Sequence, residues 1–228
     1  MGIIINALSI MMGTFFGHFF KERIKLENFS VLGISIMIIS IVGFLENIFD
    51  VNGITLKSND LLIVVFALII GTLLGDMINL ENKISRISNC SKKGFSNIID
   101  CTIFFGVGGL QICGPILLAT SGDNSQLILK SIIDMPFALM FGISYGKTVA
   151  VSAIPVAFGQ FVIMLITMFS RDFFDTSVIK QICAMGYIIL FFSGFNLMCE
   201  KNHKINNVNM IVGIFIVVLY NMLIKLWR

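Results

Sequence analysis

The sequence predicts an all-α integral membrane protein with about eight transmembrane helices, and three observations carry that expectation. Of its 228 residues 57% are hydrophobic and only 13% are charged, where a soluble domain carries about 25% charged residues. The mean hydropathy is +0.95, and the apolar residues are spread along the chain rather than gathered into one anchor. The charges divide the chain into pieces of about 20 residues, the length that crosses a hydrocarbon core of about 30 Å. A soluble enzyme and a disordered chain are excluded by the same composition, which includes 22 Phe. No segment alternates in the manner of a lipid-facing barrel strand.

In order, the spans fall at roughly 1–20, 29–48, 61–78, 98–120, 127–146, 148–170, 181–199 and 208–226, within a single transmembrane domain over 1–228. The first lacks a basic leader region and runs into Lys21 without a small-residue cleavage site, so it reads as a retained span and not a signal peptide. Asn6 stands where a myristoylation motif wants Ser or Thr. The third span keeps Asp76 near its end. The fifth carries Lys130 and Asp134; a strict hydropathy cut discards it, which would leave seven spans and put the chain ends on opposite sides. The sixth carries no charge at all.

Cytoplasmic loops are enriched in Lys and Arg. One set of alternate loops holds ten: Lys21, Arg23, Lys25, Lys83, Arg86, Lys92, Lys93, Lys147, Lys201 and Lys204. The other holds six: Lys57, Lys130, Arg171, Lys180, Lys225 and Arg228. The bias places both termini outside a bacterial plasma (inner) membrane and the basic loop 81–97 in the cytoplasm. It reads as a topology determinant, with an interfacial helix on anionic lipid as the alternative. Sidedness accounts for the net charge of +3, so nucleic-acid binding has no support. The bilayer is the expected partner.

Gly13-Thr14-Phe15-Phe16-Gly17 in span one recurs as Gly71-Thr72-Leu73-Leu74-Gly75 in span three. Small residues four apart let helix backbones approach closely where lipid removes the hydrophobic drive. The expectation is a close helix pair or a homodimer seam. A fainter similarity, Asn6-Ala7-Leu8 with Gln160-Phe161-Val162 and Val31-Leu32-Gly33 with Ala184-Met185-Gly186, would match spans one to three with spans six to eight as an inverted repeat. Chance likeness between apolar helices is the competing account.

Ionisable groups inside a membrane cost about 2.5–3.5 kcal/mol each at a helix centre on insertion scales, which makes each a functional-site hypothesis. Lys130 and Asp134 stand four apart on one helical face and can pair. Asp134 lies roughly 10 Å below the outer edge at 1.5 Å rise per residue, and Lys130 can snorkel upward. Pro136 removes a donor and frees the carbonyl near residue 132. Span four runs Phe105-Gly106-Val107-Gly108-Gly109-Leu110-Gln111-Ile112-Cys113-Gly114-Pro115, which disfavours a continuous helix. Freed backbone groups at Gly108 and Gly109 would then serve as ligands, as in interrupted transporter helices, or the glycines would serve only close packing. Asp100 precedes the run near the cytoplasmic edge. Ser152, Pro155 and Gln160 in span six, Asn6 in span one and Asn196 in span seven are equally open to a substrate role or to helix-to-helix hydrogen bonds. His18, Glu200 and His203 lie near interfaces and read as solvated.

Cys90, Cys101, Cys113, Cys183 and Cys199 show no metal-ligand spacing and read as free thiols. No P-loop, nucleophile elbow or zinc-protease helix is present, so no enzymatic activity, metal or cofactor is expected.

The opening Gly2 to Asn6, Gly122-Asp123 followed by Lys130-Ser131 and Asp134, Ser152-Ala153-Ile154-Pro155-Val156 with Gln160, and Gly194-Phe195-Asn196-Leu197 together resemble the bacterial YqgA/YdfK family over most of the chain. The resemblance implies a polytopic inner-membrane protein, of a kind sometimes suggested to transport, and names no substrate. The chain departs from the family at Met135-Pro136, where Gly is common after the aspartate, at Gly159-Gln160-Phe161, where Tyr-Gln-Gly is usual, and at Gln111, where the family is apolar.

These readings converge on a secondary transporter of a small solute or ion, with Asp134 binding a cation or proton, Lys130 tuning it, and Gln160 with span-four backbone completing the site. A non-transporting structural or regulatory protein and an oligomeric channel are the rivals.

Overall fold

The computed structural model describes residues 1–24, 29–52, 55–58, 60–80, 83, 86, 93–199 and 205–227. Most of the basic loop 81–97, together with Cys90, Glu200 and His203, lies outside the described residues. The helices are α1 (Gly2–Phe19), α2 (Phe29–Ile48), α3 (Leu61–Ile78), α4 (Lys93–Val107), α5 (Leu110–Ser121), α6 (Ser125–Tyr145), α7 (Ala153–Phe169), α8 (Thr176–Met198) and α9 (Asn207–Trp227). A 3-10 turn, Lys147–Ser152, leads straight into α7 and completes the sixth span. The connection from α2 to α3 contains an antiparallel hairpin of β1 (Phe49–Asn52) and β2 (Thr55–Ser58), with Phe49 opposite Ser58.

Seven of the helical segments are long and apolar enough to cross a membrane singly, and α4 with α5 form a pair bent by 57°. Glycine contacts reveal the direction of each helix. Gly2 lies beside Asn124 and Leu127, Gly13 beside Met135 and Ala138, and Gly17 beside Leu139, so α1 and α6 run parallel. Gly33 meets Gly194 while Gly43 meets Tyr187, and Gly71 meets Gly213 while Gly75 meets Asn209, so α2/α8 and α3/α9 are antiparallel. With successive spans alternating in direction, α1 and α6 can be parallel only if three crossings separate them. The bent pair is therefore the fourth of eight crossings rather than a re-entrant loop, and both chain ends lie at one end of the bundle, called here the terminal end.

Close approach explains these pairings. A methyl group on Gly13 would stand 2.3 Å from the Met135 carbonyl oxygen, one on Gly17 2.0 Å from that of Leu139, and one on Gly142 2.3 Å from that of Thr14. The two G-x-x-x-G faces thus bind α1 to α6 and α3 to α9 within one chain, so they are not free to form a dimer seam. Thr14 and Ser131 bond the preceding turn, Thr14 to the Ile10 carbonyl at 2.8 Å and Ser131 to that of Leu127 at 2.7 Å. The centre is α8, 61% of whose span is buried against 22% for α3 at the periphery. The large side chains that α3 turns outward, Leu62, Phe66, Ile69, Leu73 and Met77, suit lipid.

Two boundaries move from those expected. Span four begins at Lys93, five residues before the expected start at 98. Span seven begins at Thr176, because Asp175 caps α8 by accepting the Val178 N–H at 3.0 Å. Burial raises the Asp175 carboxyl, but the Val178 amide and Lys225, 3.0 Å away, outweigh that and hold it below the usual carboxylate range. A group depressed in the folded state contributes stability above its unfolded value, near pH 4, that is lost as pH falls through its folded value. Asp175→Ala is expected to lower stability by about 1 kcal/mol and to flatten the acid limb of the stability profile, measured by thermal unfolding in detergent between pH 3 and 7.

Candidate functional site

The break between α4 and α5 creates the site. Gly108 and Gly109 separate the two helices, and the first amides of α5 bond back into the junction, Gln111 N–H to the Gly108 carbonyl at 2.9 Å and Ile112 N–H to that of Gly109 at 3.0 Å. Carbonyls in the last turn of a helix lose their partners and carry partial negative charge. Lys130 of α6 answers one of them, donating from Nζ to the Phe105 carbonyl at 3.0 Å. The same ammonium lies 2.7 Å from Asp134 Oδ2. Both side chains are interior, Lys130 at 3% and Asp134 at 5% exposure.

Lys130 therefore does not snorkel. The orphan carbonyl of the broken helix and the carboxylate one turn along give the ammonium two partners inside, and the backbone oxygen that meets the pair comes from Phe105 and not from the residue freed by Pro136, which lies within a continuous α6. Removing Lys130 from the loop charges leaves ten Lys and Arg against five.

Beside the pair lies a cavity of about 30 Å³, room for one or two waters, lined by Phe104, Phe105, Gly108, Leu110, Lys130, Ile133, Asp134, Phe137, Leu190 and Ser193. Asn6 of α1, 1% exposed, approaches the carboxylate without closing a hydrogen bond, and neither atom of its amide has a hydrogen-bond partner. Lys130, Asp134, Asn6 and Gly108 thus come together.

The other expected residues do not join them. Gln160 lies on the far side of α5 and donates to Gln111 Oε1 at 2.9 Å, while Gln111 donates to the Val156 carbonyl at 2.9 Å. Adjacent residues of α5 turn to opposite sides, Leu110 to the cavity and Gln111 to α7, which divides the polar groups into two clusters. Gln111, the apparent departure from the family, takes up the Gln160 N–H, while Gln160 Oε1 is buried without a hydrogen-bond partner among the described residues. Ser152 caps its own 3-10 turn by donating to the Val149 carbonyl at 2.7 Å. Gly109 does not face the cavity, since a methyl group there would stand 1.7 Å from the Cα of Gly186 on α8. Asp100 is exposed on α4. Asn196 binds both the N–H and the carbonyl of Ile205, closing the α8–α9 connection.

Sequence reasoning missed Ser193 of α8, whose hydroxyl donates to the Ile189 carbonyl at 3.0 Å and meets Asn207 at 2.8 Å. A serine in an apolar helix carries no signal in the sequence that separates it from hydroxyls that bond only the preceding turn.

Comparisons with known proteins agree with this architecture. The chain is 28% identical over 213 residues to "Uncharacterized membrane protein YdfK" of Bacillus subtilis (strain 168), covering 90% of each. It is 24% identical over 223 residues to "Uncharacterized protein YqgA" of Escherichia coli (strain K12), again covering 90% of each. No solved structure matches it. The family described as "Protein of unknown function (DUF554)" matches residues 1–222, and the chain belongs to that family of polytopic membrane proteins.

Proposed function

We propose that this protein is a secondary transporter of a small solute or ion in a bacterial plasma membrane, with both termini outside and no enzymatic activity. The observation that carries the reading is the Lys130–Asp134 pair, buried beside a broken helix and a small cavity. An ion pair in the interior is a poor way to gain stability, because desolvation offsets most of the Coulomb attraction. An ionisable pair retained there is better accounted for by a charge that must come and go. Asp134 binds the coupling ion, Lys130 holds the empty site neutral, and the half-helix α4 supplies backbone oxygen. The ten-to-five distribution of loop charges supports the orientation.

The Gln111–Gln160 cluster favours a narrower role for span six. Its amides bridge α5 and α7, so they act as helix-to-helix bonds, the part the structural rival would give to every polar group. Purified protein in vesicles under an imposed ion gradient distinguishes the readings. Asp134→Asn is expected to abolish ion-driven flux per folded molecule even though the stranded Lys130 also lowers stability, whereas Gln160→Leu lowers thermal stability and leaves flux per folded molecule near the parent value. Parent and Asp134→Asn proteins that are indistinguishable in flux across a panel of small solutes and ions would reject transport through this pair.

A further inference from the structure

We propose that the coupling ion is a proton and that it reaches Asp134 from the end of the bundle where α8 meets α9, the opposite, terminal end being sealed by Leu127. The inference rests on the transporter reading and deepens it.

The two ends of the site differ. Toward the α8–α9 end the cavity wall includes Ser193, and Ser193 is hydrogen-bonded at 2.8 Å to Asn207, the first residue of α9. Asn207 is half-buried and lies 3.2 Å from Asn196, whose amide also meets Ile205 in the connection. Polar groups therefore continue from the ion pair to the end of the bundle, as a chain of water and side-chain hydrogen bonds requires. Toward the terminal end the next inward side chain on α6 is Leu127, fully buried in a notch between Gly2 and Gly114, where methyl groups would stand 2.7 Å from its side chain. The Gly2 N–H to Asn124 Oδ1 bond at 2.9 Å and the Tyr187 hydroxyl to Gln126 bond at 2.6 Å close the bundle over it. The site faces one way.

Its chemistry selects the ion. A metal cation needs several free oxygens, and the Lys130 ammonium already sits between Asp134 and the Phe105 carbonyl, repelling any second cation in the same space. Lys130 is the one other ionisable side chain lining the cavity among the described residues; α1 brings Asn6, α4 Phe104 and Phe105, α5 Leu110, and α8 Leu190 and Ser193. A proton needs no new ligand. It passes from a hydronium in the cavity to a carboxylate oxygen, an O–H bond forms on Asp134, water is left behind, and Lys130 keeps its charge on the Phe105 carbonyl.

The test uses the full chain with Cys90 and Cys199 replaced by serine, carrying Ser193→Cys or Leu127→Cys, in vesicles of known sidedness. A membrane-impermeant thiol reagent is expected to label Ser193→Cys only from the face holding Asn207, and Leu127→Cys from neither. Labelling of Ser193→Cys from the terminal face, or from neither face, overturns the access path; Asn207→Cys serves the same purpose if Ser193→Cys does not fold. In the infrared, acidification is expected to raise a protonated-carboxyl band that Asp134→Asn lacks, while sodium or potassium chloride at constant pH leaves it unchanged. A band that sodium or potassium suppresses overturns the choice of proton. Labelling as expected without any ion-driven flux rejects the transporter and leaves the path standing; flux with Ser193→Cys unlabelled from both faces rejects the path alone.

Discussion

Lys130→Met is expected to destabilise the bundle by about 3–5 kcal/mol, the loss seen when one partner of a buried ion pair is removed. Methionine fills most of the lysine's volume and stays apolar, so the loss reports charge rather than a cavity. Two groups are stranded by the change. Asp134, 5% exposed, keeps a carboxylate with no counter-ion, and the Phe105 carbonyl at the end of α4 loses the ammonium that bonds it. Lys130→Met combined with Asp134→Leu should recover most of the stability, since replacing a whole buried pair with apolar groups is often neutral or favourable. Thermal unfolding of the detergent-solubilised protein, followed by size-exclusion of the folded fraction, measures both. A single variant as stable as the parent would mean that the ammonium does not neutralise Asp134. A double variant that is stable but inactive would separate the pair's part in function from its part in holding the bundle together.

Gly109→Ala should be nearly as damaging, for a steric reason. Its new methyl group would lie 1.7 Å from the Gly186 Cα and 2.5 Å from the Gly186 carbonyl carbon, so backbone must move against backbone. Overpacking of an interior typically costs about 1–3 kcal/mol where side chains can give way; here none is available to yield, and the upper end or beyond is expected. Gly108→Ala is the control. No atom lies within 4 Å of the corresponding position, and neither glycine has a positive φ, so both accept alanine in backbone terms. The difference in unfolding temperature between the two variants isolates the α5–α8 contact. Equal temperatures would place the break elsewhere than against Gly186.

Some of this was legible in the chain and some was not, and the division is physical. The Lys130–Asp134 pairing follows from spacing on one helix, and the interruption of span four follows from adjacent glycines in an apolar segment; both are local. What Lys130 bonds across the bundle, which helix Gly109 touches, and that Gln160 donates to Gln111 all depend on which faces meet, and a single sequence does not encode that in periodicity alone. Cutting the chain at its charges also placed the start of span seven late, because the capping Asp175 begins that helix before its uncharged stretch. Packing pairs α2 with α8 and α3 with α9 antiparallel, whereas the main partner of α1 is α6 and not α7.

The pairing of α1 with α6, α2 with α8 and α3 with α9 has a consequence for biogenesis. Each early helix finds its mate only after more than a hundred further residues have been synthesised, so the first three wait in lipid as separate inserted rods. Assembly is then a late, chain-wide event rather than a hairpin-by-hairpin one. Severed between α3 and α4, the chain would give halves that each lack every main partner of the other, and that could recover a compact state only by joining.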